Sequence, residues 1–178
     1  YDNCHADLLP NVNMKWSADQ AAIIYSIWLF DMNNSTQYSH ELSEKWLSYM
    51  NANRRHKKTG LFQTEVLGTR KYSSQPRGCS TAYLVHYMAR FHPEEAQYQW
   101  KLFKKHMMIH VMGNTGFREY LKEYKGSWTP DSGPIVKGVG IAATGLALNA
   151  ASSVNDLETY RELDRGMSMV YNMIKKGN

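Results

Sequence analysis

From Ile135 to Ala151 the chain is apolar and rich in glycine and alanine, broken by Lys137, the glycines and Asn149. A bilayer span takes about 20 continuous apolar residues, so this run is too short and too interrupted to cross a membrane. It predicts a buried helix whose small side chains let neighbouring backbones approach closely, and such a helix needs other helices on several sides. The preceding turn, Thr129-Pro-Asp-Ser-Gly-Pro134, predicts the helix start. Asp131 or Ser132 would cap the first free N–H groups, and Pro134 suits the first turn, where its missing donor costs nothing.

The same 3.6-residue logic runs through the chain. A first helix is predicted over about Ser17 to Asp31, with Ser17 and Gln20 as a capping box and Ala21, Ile24, Tyr25 and Trp28 on one face. After the polar Asn33-Asn34-Ser35-Thr36 turn, a second runs to Asn53 with Leu42, Trp46, Tyr49 and Met50 at helical spacing. A third follows Pro76-Arg77-Gly78 and ends at His92, because the residue before Pro93 is disfavoured in a helix. The fourth starts at Pro93, buries Ala96, Trp100, Phe103 and Met107, and is expected to reach a Gly113 C-cap. The glycine-alanine segment is the fifth. The sixth starts at Asn155, paired with Glu158, and buries Tyr160, Leu163, Met167, Val170 and Ile174.

These elements predict an all-α fold of three consecutive αα-hairpins, and 178 residues fit one domain. The turns within hairpins are short. The connections between hairpins, roughly 55–78 and 113–132, are long, which calls for function or local strands. If successive helices run up and down, both long connections and the segment before the first helix emerge at one rim, the natural place for a site. Leu61–Val66 and Gly116–Leu121 are expected to pair there as short strands.

A net charge of +5 raises the question of nucleic acid, but the basic residues are scattered apart from Arg54-Arg55-His56-Lys57-Lys58, and no nucleic-acid-binding motif accompanies them. No Walker loop, dinucleotide fingerprint, nucleophile elbow or CxxC pair is present, which removes the common nucleotide and redox enzymes. The chain begins at Tyr1 without an initiator Met, as a processed product or fragment would. Its two cysteines, Cys4 and Cys79, permit one disulfide, and Asn33 and Asn34 each open a glycosylation sequon. Both features lean toward an extracytoplasmic or secreted protein.

Four segments occur in order with helical spacers between them: Gln75-Pro-Arg-Gly-Cys-Ser-Thr-Ala-Tyr83, His92-Pro-Glu-Glu-Ala-Gln-Tyr98, Gly116-Phe-Arg-Glu-Tyr120 and Asp131-Ser-Gly-Pro through Gly145. Together they resemble the (α/α)6-toroid proteins, most closely those like linalool dehydratase/isomerase. The resemblance covers roughly residues 60–155 and is strongest at the Pro-Arg-Gly turn and the Asp-Ser-Gly-Pro segment. It implies the later half of a ring of six hairpins, with a homo-oligomer or a second chain completing it. It also implies a cofactor-independent lyase or isomerase with acid/base residues and cysteines around an apolar pocket. Glycan-processing enzymes use the same toroid, and a noncatalytic helical interaction module is a further alternative.

The candidate residues each carry two readings. Glu65, Glu119 and Asp131 fall in or beside the rim segments, where paired carboxylates serve as acid and base. The plainer roles are an N-cap for Asp131 and an ion pair with Arg118 or Lys122 for Glu119. Cys79 opens a helix whose N-terminus favours a thiolate; otherwise it is a small buried residue or half of a disulfide. Arg77 suits an anionic or polyhydroxyl substrate, or loop carbonyls. Tyr72, Tyr83 and Trp128 are candidate aromatic contacts to a small-molecule substrate. His106 and His110 have the i, i+4 spacing of a metal pair, yet Met107 stands where a zinc-protease helix carries Glu, so no metal is assigned. His86 is the remaining acid/base candidate within a helix.

Overall fold

The computed structural model describes residues 15–67, 75–124 and 126–176. Six helices form the three expected hairpins: α1 (Ser17–Asn34) with α2 (Tyr38–Asn53), α3 (Gly78–Met88) with α4 (Pro93–Met107), and α5 (Ile141–Ser153) with α6 (Leu157–Lys176). Among the described residues, short strands lie just before α1 and between the hairpins: β1 (Lys15–Trp16), β2 (Glu65–Leu67), β3 (Met108–Val111), β4 (Asn114–Phe117), β5 (Ile135–Val136) and β6 (Val139–Gly140). The fold is therefore all-α, with β segments confined to loops.

α3 packs against α1 on one side and α5 on the other, while α2, α4 and α6 each lie on their own hairpin partner. This gives an inner layer α1–α3–α5 and an outer layer α2–α4–α6. The inner helices bear the small residues: Ala18 and Ala21 of α1, Ala82 of α3, and Ala143, Ala147 and Ala150 of α5 are all buried. The outer helices send large side chains inward. Trp100, Phe103 and Met107 of α4 meet Phe117 of β4, whose ring stacks on Phe103 at 4.3 Å. Trp46 and Met50 of α2 pack with Ala18, Ala21 and Ile24 of α1.

All three inner helices start at the same end. The Ser17 N–H donates to the Thr64 carbonyl (2.9 Å) and the Arg77 N–H to the Thr64 hydroxyl (2.9 Å), so one threonine ties the starts of α1 and α3. Gly78 lies against Ala143 at the start of α5. At the other end, His86 Nδ1 and the Ser153 hydroxyl lie 2.7 Å apart, joining the finish of α3 to that of α5.

Several local expectations are corrected. α5 starts at Ile141, not near Pro134, because Ile135–Gly140 forms the β5–β6 hairpin. Its turn, Lys137-Gly138, has φ of 49° and 84°, and two successive positive φ values match the right-handed strand twist of a type I′ turn. Asp131 is consequently not the cap. The carbonyls of Pro134 and Ser132 accept the N–H groups of Ile141 and Ala142 instead.

Similarly, α4 stops at Met107 and the chain turns into the β3–β4 hairpin through Met112 (φ 52°) and Gly113 (φ 78°). His110 thus sits on a strand and not on the helix face of His106. The expected pairing of residues 61–66 with 116–121 gives way to β1–β2 and β3–β4. The capping boxes differ too. Ser17 donates its hydroxyl to Thr64 and follows the cap Trp16, while Asp156, not Asn155, caps α6. Asn33 and Asn34 belong to the last turn of α1 instead of a loop.

Candidate functional site

The rim cluster grows from the Pro76-Arg77-Gly78 turn. The Gly78 N–H donates to the Glu119 carbonyl at 2.8 Å, and a Cβ at Gly78 would sit 2.1 Å from the Arg118 carbonyl oxygen. Only glycine fits where α3 begins against that strand exit. The contact brings Glu119, just past β4, onto the first turn of α3.

Glu119 is 1% exposed, and both of its oxygens are engaged. Oε1 accepts from Arg77 Nε (2.8 Å) and from the Cys79 thiol (3.1 Å); Oε2 accepts from the Cys79 N–H (3.1 Å). Its ion-pair partner is therefore Arg77, not Arg118 or Lys122. The Arg77 guanidinium continues outward, donating Nη2–H to the Thr129 hydroxyl (2.7 Å) and Nη1–H to Asp131 Oδ2 (3.3 Å), with the Tyr120 ring 5.7 Å away. One arginine thus links three segments distant in sequence. Burial works against its charge, but the acidic groups of Cys79, Glu119 and Tyr120 around it raise its pKa still further.

Cys79 is a buried free thiol, and Cys4 lies outside the described residues. Of the readings the sequence left open, a thiolate or a small buried residue, the structure favours the second. Burial, followed by the Glu119 carboxylate to which the thiol donates, pushes its pKa far up and outweighs Arg77 and the helix N-terminus. Asp131 is the exposed member, its side chain 43% accessible. Trp128, in the same loop, is 60% exposed.

Tyr83 lies away from this cluster, in a seam of rings between the inner helices. The Tyr87 hydroxyl donates to that of Tyr83 (3.0 Å), and Tyr25 packs on Tyr87 and stacks on Trp28. The hydrogen bond to Tyr83, with burial, raises the Tyr87 pKa to about 12. Tyr72 lies outside the described residues. Glu65 lies on β2 opposite Trp16, and His86, bonded to Ser153, lies at the far end of α3. Among the described residues no group of three or more metal-ligating side chains comes together. No helix of those residues is long and apolar enough to cross a membrane.

One residue was missed. Asp19, in the first turn of α1, is half-buried at the same end, and its pKa is raised by burial and then by the nearby Asp131 charge. An acidic residue in the first turn of an inner helix opening onto the rim was the available signal.

A groove of about 770 Å³ lies at the opposite end, between the α1–α2 and α3–α4 turns. It is lined by Trp28, Asp31, His40, Arg90 and Phe91 among others, and the one carboxylate in it, Asp31, is occupied as a cap. At the rim, Arg77 draws Glu119 and Asp131 together from distant parts of the sequence.

Comparison with solved structures places this architecture. A GH8 endo-beta-1,4-glucanase from an Achatina fulica gut metagenomic library superposes with a TM-score of 0.58 at 12% identity. The chain shares the α/α-toroid fold. The match covers 88% of this chain and 49% of the glucanase, so the chain spans about half the length of that enzyme. No protein-family profile matches the sequence, and no curated protein matches it. The toroid architecture is thereby supported independently of the motifs; the finer likeness to linalool dehydratase/isomerase gains nothing from these comparisons.

Proposed function

We propose that the chain forms the rim-bearing part of a cofactor-independent toroid enzyme that breaks a C–O bond by acid/base chemistry. The favoured chemistry is lyase- or isomerase-like, on a small alcohol of terpenoid type. The observation that supports this reading is the meeting of Arg77, Cys79, Glu119 and Asp131 where the inner helices start. Asp131, exposed and held by a single long hydrogen bond, is the group placed to exchange a proton with a substrate. Arg77 orients it and offers positive charge to a departing oxygen. Glu119, buried behind and anchored by the Cys79 thiol and N–H, holds the guanidinium. Trp128 supplies an apolar contact face.

Hydrolysis of a glycan is the second reading. The fold neighbour being a glucanase favours it, as do the exposed Trp128 and the Tyr120 ring by Arg77. Both readings use the same carboxylate. Three hairpins also leave the ring to be closed by further chain, either a second copy or another polypeptide, and native mass spectrometry reads that directly.

The test supplies the native assembly with a tertiary allylic alcohol, followed by alkene release, and with soluble β-1,4-glucan, followed by reducing ends. Asp131→Asn is expected to lower kcat about 100-fold or more on whichever probe is turned over. Full activity in that variant, or turnover of neither probe, overturns the proposal.

A further inference from the structure

An acid/base cleavage needs a proton donor as well as an acceptor, and the cluster around Arg77 contains no ready one. The Cys79 thiol is buried, and both its own donor and its N–H are committed to Glu119. We propose that Asp19 is the proton donor of the rim and Asp131 the acceptor, the two carboxyls working as a pair; this rests on the acid/base reading of the site.

The placement follows from a chain of contacts. Ser17 and Arg77 are joined through Thr64, which sets the first turn of α1 beside the start of α3. Asp19 lies two residues further along that turn, and Arg77 reaches from α3 to Asp131 on the 129–133 turn. Among the described residues Asp19 has no hydrogen bond or ion pair of its own. A carboxylate near a helix N-terminus is ordinarily stabilised in its charged form by the free N–H groups. Here burial and the neighbouring Asp131 charge prevail and favour the protonated form. Asp131 is the charged group that acts on Asp19; Asp131 in turn is bonded to Arg77 from α3, which Glu119 from the β4 exit holds from behind. Arg77 is bonded to Asp131 and Glu119, which keeps the two carboxyls of the pair unequal.

In the favoured reaction the Asp19 proton passes to the substrate hydroxyl oxygen as the C–O bond breaks, its electron pair leaving with the oxygen as water. Asp131 takes the proton from the adjacent carbon, and the C–H pair becomes the second bond of the alkene. One proton transfer from Asp131 to Asp19 restores the starting state. The cycle consumes nothing except the alcohol.

Two measurements decide it. Carbon NMR titration of the carboxyl-labelled protein in its native assembly should find Asp19 titrating above the ordinary aspartate value of 3.8 and moving back down in Asp131→Asn. An Asp19 titration indifferent to that substitution overturns the pairing. With the allylic alcohol as probe, Asp19→Asn should lower kcat about 100-fold or more while leaving KM nearly unchanged, and should abolish the loss of kcat/KM at high pH. Asp19→Glu should recover part of the rate. If Asp19→Asn keeps its kcat while Asp131→Asn loses it, the donor assignment falls and the acid/base site stands. If the unmodified protein turns over neither probe, the site reading falls, and the donor assignment with it.

Discussion

The two ends of the helix layer treat their carboxylates in opposite ways. At the end where hairpins turn, Asp31 accepts from Thr36, the Tyr38 N–H and the Ser39 N–H, and Asp156 accepts from Trp100, Lys104 and Thr159. For Asp31, desolvation works against the charge and the hydrogen bonds from Ser39, Thr36 and Tyr38 overcome it, holding its pKa at about 2. Asp156 is brought to about 2 in the same way by Lys104, Trp100 and Thr159. At the end where the inner helices start, Asp19 and Cys79 are pushed up instead. At the turns the charged forms of these two carboxyls are favoured; at the rim burial favours the neutral forms of Asp19 and Cys79. Perturbation of that second kind marks sites where protons are exchanged.

Glu119 bridges the two styles, a structural anchor at the rim, and its removal should produce the largest effect. Glu119→Ala strips Arg77 of its shortest ionic contact and orphans the Cys79 N–H. Breaking a buried pair from one side costs roughly 3–5 kcal/mol. The remaining contacts of Arg77 to Asp131 and Thr129 put the expected loss near the lower figure. Urea unfolding measures it, and a loss under about 1 kcal/mol would show that the anchor is dispensable.

At the turn end, Asp156→Ala should cost about 2–3 kcal/mol. An N-cap accounts for about 1 of this, and the orphaned Trp100 indole N–H for much of the rest. Rim chemistry should be untouched, so equal kcat beside lowered stability is the signature. The acid response follows the same division. Folded-state values near 2 against an ordinary 3.8 mean that Asp31 and Asp156 contribute fully above about pH 4. Their contribution fades as pH falls from there through about 2. Asp31→Asn and Asp156→Asn should flatten the stability curve across that window, measured by thermal unfolding between pH 5 and pH 2.

How much of this could be read from the residues varies along the chain. The helices were visible because apolar positions repeat every three or four residues and caps are local; Pro93 opens α4 where expected. The hairpins at Met112-Gly113 and Lys137-Gly138 were overrun because the neighbouring helical pattern extends into them. Both carry a valine directly before a residue and a glycine in positive φ, the backbone of a type I′ turn. The rim was located from loop lengths, and Arg77, Cys79, Glu119 and Asp131 do converge there. Which pairs with which was not legible. Glu119 meets Arg77 across 42 residues of sequence, while Arg118 and Lys122 were its nearest candidates along the chain. The thiolate alternative for Cys79 gave way to the buried one for a related reason: a helix N-terminus is visible in sequence, whereas a carboxylate folding onto it from another hairpin is not.

The smallest expected effect bears most directly on the contrast between the ends. A carboxyl whose folded pKa is raised contributes stability below its ordinary value and loses it as pH rises through the folded value. At neutral pH Asp19 therefore works against folding, burial and the Asp131 charge being the causes. Asp19→Asn should raise stability at pH 7 by up to roughly 0.5 kcal/mol, since the group remains half-exposed and solvent screens it. The same variant should be neutral near pH 3, where the carboxyl is already protonated. Asp31→Asn at the turn end should do the reverse, destabilising at pH 7 and becoming harmless toward pH 2. Thermal melts of the two variants at both pH values make a four-way comparison in which only the signs matter. If Asp19→Asn destabilises at pH 7 as Asp31→Asn does, both carboxylates are ordinary helix-end supports, and the rim loses its electrostatic distinction from the turns.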